Sequence, residues 1–267
     1  LVDPARGRPV PVALYRPQRQ PAPLILFSPG FGGSRTGYAR LARHWASAGY
    51  VVAVVEHVGS NQDFLPPMRG MDRSERARYL LELLRSPQEL EARPADLSFV
   101  ADELLGLPWV RPGPVGAGGH SFGACTVLAA AGAPVSLPDG SQRCLGDGRV
   151  GAVVAMSPPP PGTFFTCEAL GQVRAPTLLV TGDLDRGPFL ETPAEARLEA
   201  YRCLPPGRRW LALLAGADHW TFADLGLRRH PYQQELAGLT TAFWDFALGG
   251  APLERPPLST LSLWQGD

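Results

Sequence analysis

The chain has 267 residues, long enough for a large well-buried core, and its 45% hydrophobic and 19% charged residues are a globular composition. Twenty-five acidic and 25 basic residues cancel, and no basic stripe runs along the chain, which excludes the usual footprint of a nucleic-acid-binding protein. No apolar run approaches the roughly 20 residues that span a bilayer, so stable membrane insertion is not expected.

Apolar runs of strand length alternate with segments of helical period. "PVPVALYRP" (9–17) alternates as an edge strand does, and "PLILFSP" (23–29) is continuously apolar, as a fully buried strand should be. Residues 36–49 predict an amphipathic helix with Tyr38, Leu41, Ala42 and Trp45 on one face, closed by Gly49. "YVVAVVEH" (50–57) is a second buried strand. Residues 58–71 read as a loop, 72–86 and 87–106 as helices, and 58–90 together as a partial lid. A small-residue strand (113–120) leads into a helix (122–133). Strands at 149–158, 175–183 and 208–217 follow, with helices near 192–203 and 232–247. The tail 249–267, rich in Gly and Pro at its start, is expected to wrap the surface. This alternation predicts one α/β domain over 1–267, with a mostly parallel central sheet of about eight strands and helices on both faces.

Residues 118–126, "GGHSFGACT", place Ser121 between Gly119 and Gly123, at a strand-to-helix junction. That is the context of a nucleophile elbow, where small neighbours permit a serine at strained φ/ψ and the helix start offers N–H groups to a developing oxyanion. A serine hydroxyl needs a base, and the base an orienting acid. Of the five histidines, His120 adjoins Ser121 and should point away, His44 lies in the first helix, and His230 sits in a polar loop. His219, in "LLAGADHWTF" after the last of these strands, is the expected base, with His57 the runner-up. The acid should follow the intervening strand, where "TGDLDRG" offers Asp183 and Asp185. Asp185, in the turn beyond the strand, is the expected acid, and Asp183 would brace that turn. Oxyanion donors are expected at the N–H of Phe122, next after the nucleophile, and of Phe31, in the glycine-rich "FSPGFGGSR" (27–35).

With these motifs the chain resembles the α/β-hydrolase superfamily over roughly residues 8–250. It looks most like the branch that holds platelet-activating-factor acetylhydrolases, dienelactone hydrolase-like esterases and cutinase- or PET-hydrolase-type polyesterases, and "FSPGFGGSR", the strand ending in Glu56-His57, and "GHSFG" resemble the acetylhydrolases most. The segment "TGDLDRGPF…LLAGADHWTF" looks more like cutinases and PET hydrolases, with the acid after the corresponding later strand. The chain departs from the plasma acetylhydrolases in having no Asp or Glu in "VVAMSPPPPG", from the dienelactone hydrolases in having Ser121 instead of a cysteine, and from PET hydrolases in lacking a Trp at Ser157–Pro159. The resemblance implies a serine carboxylic-ester hydrolase acting on an uncharged, hydrophobic, small or polymeric ester, without metal or organic cofactor. A phospholipid esterase and an amide or peptide hydrolase are the alternatives. Trp220, Phe64, Phe164, Phe165 and His57 are the candidates for lining the substrate pocket.

Four cysteines show no metal-ligand spacing. Cys125 reads as a buried free thiol in a helix, and a disulfide between Cys144 and Cys167 would brace the ends of strand 150–156. The start at Leu1, without a methionine or an apolar segment, reads as a mature or trimmed form, and with a disulfide it points to a secreted or periplasmic protein. A monomer is the expected state.

Overall fold

A computed structural model describes residues 1–64, 70–187, 192–223, 232–255 and 257–266. Its central sheet has eight strands: β1 (Val12–Tyr15), β2 (Leu24–Ser28), β3 (Val51–Val55), β4 (Val115–His120), β5 (Val150–Met156), β6 (Thr177–Leu184), β7 (Arg209–Asp218) and β8 (Leu261–Gly266). Their spatial order is β8-β7-β6-β5-β4-β2-β3-β1. The six inner strands run parallel, and the two edge strands, β1 on β3 and β8 on β7, run antiparallel. The fold is therefore the expected α/β-hydrolase sheet.

Every residue of β2 and β3 is buried, which explains their unbroken apolar sequences. Alternate side chains serve two cores. Leu24, Leu26, Val51, Ala53 and Val55 face one core, with helices α3 (Pro87–Leu105), α4 (Phe122–Ala130) and α6 (Leu198–Cys203). Ile25, Phe27, Val52 and Val54 face the other, with α1 (Ala39–Ser47) and α7 (Tyr232–Gly249). The face predicted for α1 is the buried one, Leu41, Ala42, Trp45 and Ala46, with Tyr38 just ahead of it at the N-cap. Helix α2 (Arg73–Leu84) starts at a capping box, in which the Asp72 carboxylate accepts from the Ser74 and Glu75 N–H groups.

Two expectations are corrected. The tail does more than wrap the surface: after residues 250–258 it turns back as β8 and hydrogen-bonds the exposed edge of β7, Trp210 opposite Gly266 through Leu214 opposite Leu261. An unpaired edge leaves a row of unsatisfied peptide groups, and this strand covers it. The disulfide joins Cys167 to Cys203, not to Cys144; Cys144 is exposed and free, and Cys125 is buried and free. Helix α5 (Cys167–Leu170) packs on α6, so the first residue of one and the last of the other lie 4.9 Å apart at Cα. That proximity depends on helix packing and leaves no trace in cysteine spacing.

Candidate active site

The end of β4 and the start of α4 meet at Ser121, whose backbone adopts φ +55° and ψ −115°. For a non-glycine residue this is a strained conformation. The flanking glycines are sterically required. A methyl group on Gly119 would lie 2.2 Å from the Gly123 carbonyl oxygen, and one on Gly123 would lie 1.9 Å from the Ser28 carbonyl oxygen. The turn is thus jammed between its own helix and the end of β2, and Ser121 is pushed outward, half-buried, into a cleft.

His219 opens the short 3₁₀ turn after β7 and presents Nε2 3.0 Å from Ser121 Oγ. Its Nδ1 lies 2.9 Å from Asp185 Oδ1. A carboxylate only accepts, so Nδ1 carries the hydrogen and Nε2 faces the serine as an acceptor. Asp185 is fully buried just beyond β6, whereas Asp183 is exposed and accepts from the Gly216 N–H on β7. Thr181 Oγ1 donates to Asp185 Oδ2 over 2.9 Å. Burial pushes the Asp185 carboxyl up, but the hydrogen bond to His219 and the charge of Arg197 prevail and hold it below the ordinary carboxylate range.

Arg197 and Ser157 were not legible in the sequence as parts of this site. The buried Arg197 guanidinium lies 3.1 Å from Asp185 Oδ1 and donates to the Ser157 and Pro158 carbonyls at 3.1 and 2.8 Å. Ser157, at φ +51° beyond β5, places its Oγ 2.7 Å from His219 Nδ1. An arginine in the helical pattern of residues 192–203 gives no sign of burial, and a serine before a proline run reads as loop. His120 does turn away from Ser121, yet it braces the base. Its Nε2 donates to the His219 carbonyl over 3.0 Å, and its Nδ1 accepts from the Tyr38 hydroxyl over 2.8 Å. Burial and the neighbouring His219 depress its basicity well below the usual histidine range, so it stays neutral.

The loop after β2 packs directly against this elbow: a methyl group on Gly30 would lie 3.5 Å from Ser121 Cβ. Phe31 follows, its ring 6.3 Å from that of Phe122 in an edge-on arrangement. Phe122 supplies the first N–H of α4. The cleft beside Ser121 offers about 40 Å³, lined by Leu84, Phe122, Pro159, Pro160, Phe164 and Thr192 among others. Phe164 thus reaches it, while Phe165 is buried in the core behind. Trp220 is 46% exposed next to His219, its ring edge-on to the imidazole at 5.6 Å. His57 is 2% exposed and does not line the cleft; it bonds Ser28 and Asp96 instead. The Phe64 side chain and His230 lie outside the described residues. Among the described residues no three His, Cys, Asp or Glu side chains gather to hold a metal ion, and no helix is long and apolar enough to cross a membrane.

The sheet and this Ser–His–Asp geometry define a serine hydrolase of the α/β-hydrolase fold. Residues 10–63 match the family model described as platelet-activating factor acetylhydrolase, isoform II. Along nearly the whole chain the protein is similar to a solved structure, ferulic acid esterase from Streptomyces cinnamoneus, at 26% identity and TM-score 0.59, covering 92% of this chain and 74% of that one. No curated protein matches the chain. Together the likenesses support an esterase-like hydrolase of the α/β-hydrolase fold.

Proposed function

We propose that the protein is a carboxylic-ester hydrolase in which Ser121 is the nucleophile, His219 the general base and acid, and Asp185 the orienting carboxylate. The observation that carries this reading is the continuous hydrogen-bonded line from Ser121 Oγ through His219 to the buried Asp185, at 3.0 and 2.9 Å, opening on an apolar cleft. His219 Nε2 takes the hydroxyl proton as Oγ bonds to the ester carbonyl carbon, and the carbonyl electron pair moves onto its oxygen. The Phe31 and Phe122 N–H groups hold that oxyanion. When the tetrahedral species collapses, the bond to the alcohol oxygen breaks and His219 hands its proton to that oxygen. Water then attacks the acyl-enzyme with His219 again as base, and the acid departs.

The cleft favours an uncharged, hydrophobic and short acyl group: among the described residues its lining beside the Ser–His pair is mainly proline, leucine and phenylalanine with two threonines, and its one guanidinium, Arg197, is already paired with Asp185. The neighbour's name, an esterase of ferulic acid, supports ester over amide chemistry. The exposed Trp220 would suit the alcohol side of a bulky, aromatic or polymeric ester. A phospholipid ester is the second reading, favoured by the family match over residues 10–63. Leu84, the last residue of α2, reaches the cleft, which supports 58–90 as a partial lid over one domain. The disulfide favours an oxidising compartment outside the cytoplasm.

The test is a panel of p-nitrophenyl esters from acetate to palmitate, with a matched anilide, an oxidised phospholipid and an aromatic polyester. Acetate or butyrate should be turned over fastest and the anilide at least about 10³-fold more slowly. A preferred anilide rejects the ester assignment, and a preferred phospholipid moves it to the second reading.

A further inference from the structure

Behind the loop that carries Phe31 lies a second set of Ser, His and Asp, assembled from Ser28, His57 and Asp96. Ser28 Oγ is 2.9 Å from His57 Nε2, and His57 Nδ1 is 3.0 Å from Asp96 Oδ2. Asp96 in turn pairs with Arg8 at 2.9 Å and Arg6 at 2.8 Å. None of the three can meet a substrate, since Ser28 and Asp96 are fully buried and His57 nearly so.

The direction of each bond follows from its partners. Asp96 only accepts, so His57 Nδ1 donates to it; burial keeps His57 neutral, so its Nε2 accepts the Ser28 hydroxyl proton. Ser28 Oγ then accepts from Arg93 Nη2 over 3.1 Å. The result is a polarised line from a guanidinium to a carboxylate, in which every bond strengthens the next.

Arg93 is the hub. Fully buried in α3, it donates through Nη2 also to the Pro29 carbonyl, through Nη1 to Ser60 Oγ at 2.8 Å, and through Nε to Thr126 Oγ1 at 2.9 Å. Its guanidinium also lies 4.5 Å over the Phe122 ring. One side chain thus grips the Pro29 carbonyl, two residues before Phe31, and both the ring of Phe122 and a hydroxyl one turn further along α4. The far end of the loop is tied separately: Glu56, next to His57, accepts from the Arg35 N–H over 3.0 Å, and Gly32 N–H donates to the Ser60 carbonyl over 2.8 Å.

We propose that Arg93, aligned by the Ser28–His57–Asp96 relay, is a positioning residue that sets the distance between the two oxyanion donors, the Phe31 and Phe122 N–H groups. The proposal rests on the esterase reading above. A rigid fork of five donors is suited to hold two chain segments at a fixed separation, which a lysine ammonium at the same place does not do. Burying an unpaired guanidinium is costly, so the side chain's four acceptors keep it, and the segments they belong to, in one arrangement. Neither Arg93 nor the relay lines the cleft, so their main effect falls on the two N–H donors and hence on the transition state, where the oxyanion exists.

The experiment compares Ser28→Ala and Arg93→Lys with the parent chain, each first shown to melt cooperatively. With p-nitrophenyl acetate, kcat should fall about tenfold in Ser28→Ala and about a hundredfold in Arg93→Lys, with KM changed less than about twofold. An aryl trifluoromethyl ketone reports on the hole directly: Ser121 Oγ adds to its carbonyl carbon, the proton passes to His219, and the hemiketal oxyanion lies between the two N–H groups. Its Ki should rise by the same factor as kcat falls. Folded variants with the parent's kcat and Ki overturn the proposal, as does a rise in KM with kcat unchanged. If Arg93→Lys fails to fold, Ser28→Ala decides alone. Ser121→Ala in the same assay separates the two levels: if it remains active the esterase site itself is misplaced, whereas an inactive Ser121→Ala beside unaffected Ser28→Ala and Arg93→Lys rejects the positioning role only.

Discussion

The described residues hold two Ser–His–Asp lines whose distances differ by no more than 0.1 Å at either bond: 3.0 and 2.9 Å for Ser121–His219–Asp185, 2.9 and 3.0 Å for Ser28–His57–Asp96. What separates them is where each serine sits. Ser28 ends a regular strand, fully buried, with a guanidinium against its oxygen. Ser121 stands at positive φ on a turn that forces it out toward a cleft, beside the first N–H groups of a helix. Three side chains in hydrogen-bond reach are therefore insufficient for nucleophilic chemistry. Access to a carbonyl carbon and donors for the resulting oxyanion decide which line can react.

The largest effect expected from breaking this contrast is at the serines. Ser121→Ala should lower kcat/KM on a short p-nitrophenyl ester by about 10⁴-fold or more, against about tenfold in kcat for Ser28→Ala; equal losses in steady-state assays would erase the distinction. Next come the acids. Asp185→Asn should cost about 10⁴-fold in kcat by favouring the wrong His219 tautomer. Asp96→Asn should instead leave kcat within about tenfold and lower stability by about 3–5 kcal/mol in denaturant titration, because Arg6 and Arg8 lose their buried partner. A stable Asp96→Asn that is as inactive as Asp185→Asn would reverse the two roles.

A third contrast lies in pH. Burial, with the charge of Arg93, holds His57 down to about 4, against 6.5 for an ordinary histidine, although Asp96 opposes the shift. The unfolded chain then takes up this proton first, so stability is full above about pH 6.5 and falls as pH drops toward 4. The loss is on the order of 3 kcal/mol, and His120, depressed in the same sense, adds to it. His57→Gln should flatten part of that slope in urea melts taken at several pH values; an unchanged slope would place the titration elsewhere. The smallest effect on activity is expected at a site common to neither line. Cys167→Ser opens the loop between Cys167 and Cys203, 36 residues apart in sequence, and should cost about 3 kcal/mol, a fall of about 5–10 °C in Tm by calorimetry, with kcat unaltered.

The strand-and-helix alternation was legible because fully buried parallel strands must be continuously apolar, as Leu24–Ser28 and Val51–Val55 are. The elbow was legible because Gly119 and Gly123 are needed at close backbone approaches within five residues of each other. Strand β8 was missed because an edge strand that pairs on one side, with mixed exposure, has no strong pattern of its own. His57 reads in the sequence as a possible pocket residue for a related reason: its position at the end of a strand is written there, but the direction it faces is not.

By itself, then, the sequence determined seven of the sheet's eight strands, the helices on its two faces and the order Ser121, Asp185, His219 along the chain, since these follow from periodicity and from local steric demands. Tertiary structure alone decided the partners that come from distant segments. Arg197 reaches Asp185, Arg93 reaches Ser28 and Thr126, Cys203 reaches Cys167, and Leu261–Gly266 closes the sheet edge. Each is a contact between chain segments brought together by packing, and a buried arginine is written in the sequence with the same letter as an exposed one.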